Sequence, residues 1–223
     1  MPVLKQLTGW SEKTVLEYCA AFRQLVASHI TEFVQQDVCP EMYTYEGVQI
    51  GGDMVDVEID ESAFGKRKYN RGHYVETKWV FGGVEVLRDE YGRKKAGKFF
   101  AVVVEDRKRE TLEAVIKKFI KPNSVIISDS WKAYDKIEDI PGYGYVHYQV
   151  NHSKNYVDPT SGACTNTIEA KWGGLKKAIP RQGFRADHVL QEYLAEQMWR
   201  NSNKGHLWEA IIVALKGYVN KMD

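Results

Sequence analysis

Hydrophobic residues in the first part of the chain repeat with the period of a helix. Ser11 precedes the repeat and can cap the helix, and Glu12 follows where the helix dipole favours an acid. The segment from Thr8 to Thr14 with this stripe is consistent with either the recognition half of a helix-turn-helix or a packing or dimerisation helix, and we favour the second. The stripe at steps of three and four residues consists of Val15, Cys19, Phe22, Val26, Ile30 and Phe33.

Beyond the stretch from Gly47 to Gly52, the pattern changes to that of strands. Apolar and acidic residues alternate from Val55 to Asp60, which is the two-residue period of a half-buried strand. Further strands are predicted at 74–86 (kinked, or a hairpin), 99–104, 125–127 and 146–150. Helical spacing is found at 110–120, 166–178, 189–199 and 207–219.

This order of elements predicts an α/β protein. Three consecutive strands are typical of an antiparallel meander, and the later alternation with helices favours parallel additions to the same sheet. The expected result is a ribonuclease H-like mixed β-sheet flanked by helices, with an N-terminal helical region. We therefore predict an N-terminal DNA-binding or dimerisation region at 1–50, a ribonuclease H-like domain at 51–203 and a C-terminal helix at 204–223.

Composition narrows the class of protein. The chain has 223 residues, of which 43% are hydrophobic, enough for one core with a small appendage. No apolar run approaches the ~20 residues needed to cross a bilayer, and no signal-peptide pattern is present, so we expect an intracellular protein without a membrane partner. Cys19, Cys39 and Cys164 form no C-x-x-C pair, which argues against a zinc ribbon or a disulfide framework.

Basic residues are concentrated in two stretches without acids, although the formal net charge is only +1. One stretch lies between Ser62 and Val75, and the other lies between Ala170 and Ala186. Local positive potential of this kind suits phosphate binding, and a solvated face is the alternative interpretation. The candidate DNA-binding residues are Lys66, Arg67, Lys68, Arg71, Lys176, Lys177 and Arg181.

Three acids stand where the predicted elements can bring them together. Asp60 is expected to end the first strand of the sheet, Asp129 follows the strand at 125–127, and Glu169 lies in the first turns of a helix. If the two strands are neighbours, both aspartates lie at one edge, where hard cations such as Mg²⁺ find oxygen ligands. Taken singly, each acid also suits an ordinary role as a turn, cap or surface residue.

The segments around these acids form an ordered series from about Gly51 to Trp199. They are 57–62, 64–65, 68–72, 79–83, 126–129, 131–134, 150–153, 157–159 and 165–169 with Trp172. In this order they resemble the catalytic blocks of the Merlin superfamily of DNA transposases, and bacterial insertion-sequence relatives look similar there. Two departures are the missing amino-terminal zinc ribbon and Cys164, where the family often shows His.

The resemblance implies a DDE transposase with its catalytic, metal-binding triad at Asp60, Asp129 and Glu169. Two Mg²⁺ or Mn²⁺ ions are implied as cofactors, for cleavage at element ends and strand transfer into target DNA. His152 and Asn166 could orient substrate or a carboxylate, or could be structural hydrogen-bonding groups. A catalytically silent, domesticated DNA-binding protein and a ribonuclease H-like nuclease without strand transfer are the alternatives.

The resemblance also implies partners and a location. Terminal inverted repeats and target DNA are the expected ligands, and joining two ends requires a homodimer or a higher oligomer. The amino-acid sequences of these blocks look closer to those of eukaryotic Merlin elements than to bacterial ones, which favours a nuclear location for the protein. A bacterial host would place the protein in the cytoplasm.

Overall fold

The computed structural model describes residues 6–33, 43–45, 49–65, 76–150, 164–180 and 186–219. The chain forms two compact units, one made of 1–47 with 195–223 and the other of 48–194. Within the described ranges, no helix has the length and apolarity needed to cross a bilayer.

The order of elements from residue 55 onward is the predicted one. A short 3-10 helix at Lys132–Tyr134 follows the fourth strand of the larger sheet. In chain order the other elements are α1 (Glu12–Ile30), β1 (Thr31–Phe33), β2 (Tyr43–Tyr45), β3 (Asp56–Phe64), β4 (Lys78–Arg88), β5 (Lys94–Val104), α2 (Arg109–Phe119), β6 (Val125–Asp129), β7 (Val146–Val150), α3 (Asn166–Ala178), α4 (Asp187–Ser202) and α5 (Leu207–Val219).

Helix α1 belongs to the smaller unit and begins as predicted. The Ser11 hydroxyl accepts a hydrogen bond from the Thr14 backbone N–H at 3.1 Å, so the predicted cap is confirmed. Val26 of the apolar stripe is fully buried, and the Phe22 ring lies edge-on to Trp199 with centroids 5.9 Å apart. At least part of the stripe therefore packs within its own unit.

The larger unit is built on a five-stranded mixed sheet with the order β5-β4-β3-β6-β7. Strands β3, β4 and β5 are antiparallel neighbours, while β3, β6 and β7 run parallel. Strand β4 passes through Gly82-Gly83 as one continuous strand, which excludes the hairpin alternative. The predicted fold class, a mixed sheet flanked by helices, is confirmed.

The prediction that Asp60 ends its strand is wrong. Strand β3 continues to Phe64, and its ladder with β4 extends to the pair Phe64↔Lys78. The extension is stabilised by burial, because Ser62 and Phe64 are both buried on this part of the strand. Asp60 therefore lies inside the sheet and not at its loop edge.

The two faces of the sheet carry different contacts. On one face, Phe64 lies edge-on to Trp172 of α3 at 6.2 Å. On the other face, Phe81 contacts Phe100 at 5.9 Å, and Phe100 stacks on Phe119 of α2 at 4.8 Å. Such pairs stabilise the core beyond their buried area alone. Helix α3 and helix α2 thus cover opposite faces of the central strands.

Candidate active site

Asp60 and Asp129 lie on neighbouring strands and face the same side of the sheet. Strands β3 and β6 are parallel, and their register includes the pair Glu58↔Ile127. Each aspartate stands two residues further along its own strand, and side chains two residues apart share a face. The two strands are neighbours as expected, and both aspartates lie just past the last residue pair of this register, with Asp129 as the final residue of β6.

Glu169 reaches this face from the first turn of α3. The residues of α3 that pack on the sheet are Ile168, Trp172 and Leu175, and Glu169 stands exposed beside Ile168. The Thr165 hydroxyl lies 3.5 Å from one Glu169 carboxylate oxygen, a long hydrogen bond. The charges of Asp129 and Glu169 both act on the Asp60 carboxyl.

Asp60 and Glu61 lie in a poorly hydrated place, whereas Glu169 is exposed. Burial raises the pKa of the Asp60 carboxyl to about 6, and the charges of Asp129 and Glu169 act in the same direction. Burial also raises the pKa of Glu61 to about 7, with the charges of Asp60 and Asp129 adding to the effect. The Tyr134 hydroxyl donates a hydrogen bond to Glu61. Such a cluster has an excess of negative charge that a cation would compensate.

The donor set suits a hard divalent cation. In the described ranges, no three His, Cys, Asp or Glu side chains surround one point closely enough to hold a metal ion. Asp129 and Glu169 are close enough to Asp60 for their charges to act on its carboxyl. Carboxylate oxygens in pairs are appropriate ligands for Mg²⁺, which keeps waters and substrate oxygens in its coordination sphere.

Trp172 orients Asp60, and its position depends on a glycine. The indole Nε1–H donates a hydrogen bond to Asp60 Oδ2 at 3.0 Å. The ring lies over Gly82, which is the cross-strand partner of Asp60. A Cβ at Gly82 would stand 2.6 Å from the indole and 2.7 Å from the Phe100 carbonyl oxygen. Gly82 therefore permits the approach that lets Trp172 reach Asp60.

Glu58 anchors the amino end of α3, and sequence reasoning missed it. Its fully buried carboxylate accepts hydrogen bonds from the Thr167 backbone N–H at 2.7 Å, the Thr167 hydroxyl at 2.9 Å and the Ile168 N–H at 3.0 Å. Lys94 Nζ stands 3.6 Å away. A carboxylate here satisfies unpaired helix N–H groups and interacts favourably with the helix dipole. The anchor fixes the turn that carries Glu169.

The described basic candidates differ in their surroundings. Lys176 lies over the Phe64 ring at 5.3 Å. Burial lowers the pKa of its ammonium group, which the nearby charge of Asp60 opposes, so Lys176 belongs to the neighbourhood of the acids. Lys177 is exposed in the last turn of α3. Asn166 lines a cavity of about 520 Å³ together with Lys94.

Several predicted residues lie outside the described residues, so their roles stay predictions. These are Lys66, Arg67, Lys68, Arg71, His152 and Arg181.

Comparison with known proteins identifies the family. The sequence model of the ISXO2-like transposase domain matches residues 46–202, a range that contains all three acids. The chain belongs to the ISXO2-like transposase family. The chain is also similar to an uncharacterised transposase-like protein of Haemophilus influenzae, 28% identical over 107 residues, which cover 48% of this chain and 82% of that protein.

Membership of the ISXO2-like family confirms the resemblance to bacterial insertion-sequence transposases. The narrower resemblance to Merlin elements has no counterpart in these matches. Membership of this family is consistent with a location in the bacterial cytoplasm. The nuclear location favoured by the sequences of the blocks has no support.

Proposed function

We propose that this ISXO2-like transposase cleaves DNA at element ends and joins the freed ends to target DNA, using Asp60, Asp129 and Glu169. The observation that supports the proposal is that Asp60 and Asp129 face the same side of the sheet on neighbouring strands, with Glu169 in the first turn of α3, the helix that packs on that face. Family membership supplies the substrate class, which is DNA. The acids supply the chemistry, because carboxylates in a cluster can bind the two divalent ions that phosphoryl transfer requires.

The chain holds two of its carboxylates in place with hydrogen bonds. Trp172 donates to one oxygen of Asp60, and the Trp131 backbone N–H donates to Asp129 Oδ1 at 3.1 Å. The Glu61 backbone N–H also donates to the Asp60 carboxylate. Asp60, Asp129 and Glu169 would be the residues that hold the ions. When bound, Mg²⁺ or Mn²⁺ ions activate the attacking oxygen and stabilise the leaving oxygen.

Basic residues would bind the phosphates next to the reacting bond. Lys176 is favoured because its ammonium group interacts with Asp60. Lys177 stands one position further along α3, and Asn166 could orient substrate from the first turn. The same role is proposed for the predicted basic residues outside the described ranges. Their contacts to backbone phosphates would position DNA without reading its sequence.

The proposal extends to partners and origin. The DNA ligands would be terminal inverted repeats and a target duplex, and a homodimer or higher oligomer would bring two active sites to two ends. The bacterial cytoplasm is the location that the family favours. We also propose that the protein is related to the Merlin superfamily, and this proposal rests on the resemblance of the sequence blocks alone.

The proposal is tested with a duplex that ends in the inverted repeat flanking the gene. With Mg²⁺ or Mn²⁺ we expect a cut at the repeat and joining of the new 3′ end to a plasmid, and neither product in EDTA. Cleavage without joining would favour a nuclease with the same fold. Specific binding without any cleavage would favour a catalytically silent DNA-binding protein. Either result would contradict the proposed transposase.

A further inference from the structure

The guanidinium of Arg107 lies over two indole rings next to the acidic cluster. Its Cζ is 3.7 Å from the centroid of the Trp79 ring and 4.7 Å from that of Trp131. Trp131 is held in turn, because its ring is edge-on to Tyr134 at 6.0 Å and its N–H donates to Asp129. The turn that orients Asp129 therefore also helps to position this arginine.

Among the residues that the structure describes, Arg107 has aromatic contacts but no hydrogen-bond acceptor. A guanidinium carries five N–H donors in a planar fork. Among the described residues, none of these donors makes a hydrogen bond, and no ion pair includes Arg107. Its charge acts on the Glu61 carboxyl, but that carboxyl accepts its hydrogen bond from Tyr134. Cation–π contacts thus hold the group, and no described residue occupies its N–H edges.

The position of Arg107 is accessible and lies on the side of the sheet that α3 does not cover. Arg107, Trp79 and Trp131 are all partly exposed. Trp79 is adjacent to Val80 on β4 and has the same orientation as Phe81, which packs opposite α3. Lys176 interacts with the acids from the α3 side. Within the described part of the chain, Lys176 and Arg107 therefore act on acids of this region from opposite faces of the sheet.

We propose that Arg107 binds a backbone phosphate of the DNA that enters the acidic site, a contact distinct from that of Lys176. The inference rests on the proposed function for its substrate. A planar fork of donors matches two phosphate oxygens, and a guanidinium loses little hydration when it is stacked on aromatic rings. The two tryptophans pre-organise the group, so little side-chain freedom is lost when DNA binds.

The test measures DNA binding without cleavage, in EDTA, with a fluorescently labelled duplex. Arg107→Gln is expected to weaken binding about 3- to 10-fold. Between about 50 and 200 mM salt, it should also reduce the slope of log K against log salt by about one, as loss of one phosphate contact does. Arg107→Lys keeps the charge but not the fork, so we expect the wild-type salt slope with a smaller loss of affinity.

Arg93→Gln is the matched control. Arg93 also lies over an aromatic ring, that of Tyr91 at 5.1 Å, but it belongs to the turn between β4 and β5, away from the acids. Its substitution should leave affinity and slope unchanged. Wild-type affinity and slope in Arg107→Gln would overturn the inference. So would a loss of melting temperature that Arg107→Lys restores while neither variant changes DNA binding.

The binding test of Arg107 and the cleavage test of the proposed function can fail independently. Binding in EDTA does not require cleavage, so an inactive wild-type protein would contradict the transposase proposal and leave the arginine contact measurable. An active wild-type protein with unchanged binding by Arg107→Gln would contradict only the arginine contact.

Discussion

Asp129→Asn is expected to lower metal-dependent DNA cleavage by about 10²-fold or more. The substitution removes one negative charge and one metal ligand while keeping the Oδ1 atom that accepts the Trp131 N–H at 3.1 Å. Asp60→Asn and Glu169→Gln should have effects of the same order. Cleavage of a labelled duplex in Mg²⁺, followed on a denaturing gel, measures all three.

Asp139→Asn is the matched control for this series. Asp139 is exposed in the turn region after the 3-10 helix, and its substitution should leave cleavage unchanged. The melting temperature of Asp129→Asn in EDTA should hold or rise, because neighbouring carboxylates repel one another when no cation is bound. Equal cleavage by Asp129→Asn and the parent would refute the assignment. Loss of cleavage together with loss of folding would assign the residue a structural role.

Glu58→Ala is expected to lower the free energy of unfolding by about 3 kcal/mol. The change leaves the Thr167 and Ile168 N–H groups without the acceptor that they have at 2.7 and 3.0 Å, and it leaves Lys94 without its buried partner. Glu58→Gln retains an acceptor oxygen but no charge, so its effect should be intermediate. Urea unfolding followed by circular dichroism measures both.

Glu90→Ala controls for the loss of a glutamate, since Glu90 is exposed in the turn between β4 and β5. Its effect should stay within about 0.5 kcal/mol, as for most surface substitutions. A similarly small effect of Glu58→Ala would show that α3 holds its position without the anchor. The role of Glu58 at the helix terminus would then be wrong.

Much of the fold is predictable because its signals are local. The alternation from Val55 to Asp60 and the helical spacing from Asn166 to Ala178 are recorded in neighbouring residues. The Ser11 cap likewise depends on residues within one turn. The order of these elements is enough to predict a mixed sheet, because an antiparallel meander followed by helical crossovers is compatible with few sheet topologies.

The missed features depend on residues distant in sequence. Strand β3 extends to Phe64 because it pairs with β4 up to that residue. The alternation of apolar and acidic residues in β3 does not show where this pairing ends. The spacing of Gly82 from Trp172 carries no sign that the indole needs the space. The available signal for Glu58 was its place two residues before Asp60, which puts an acid on the covered face of the strand.

The platform around Arg107 was missed for the same reason. Trp79 lies near the start of β4, and Trp131 follows the end of β6, so β5 and α2 lie between them in the chain. Only folding brings the two rings to one guanidinium. Sequence reasoning drew the candidate cations from acid-free stretches instead. Arg107 begins the short basic run Arg107–Arg109, but acids flank that run on both sides, so it lies in no acid-free stretch.

The central claim is that the three acids bind divalent metal, and anomalous diffraction from crystals soaked in Mn²⁺ tests it most directly. The account predicts anomalous peaks between the carboxylates of Asp60 and Asp129 and between those of Asp60 and Glu169, and their loss in Asp60→Asn. Peaks confined to other carboxylates, or equal peaks in the parent and Asp60→Asn, would contradict it.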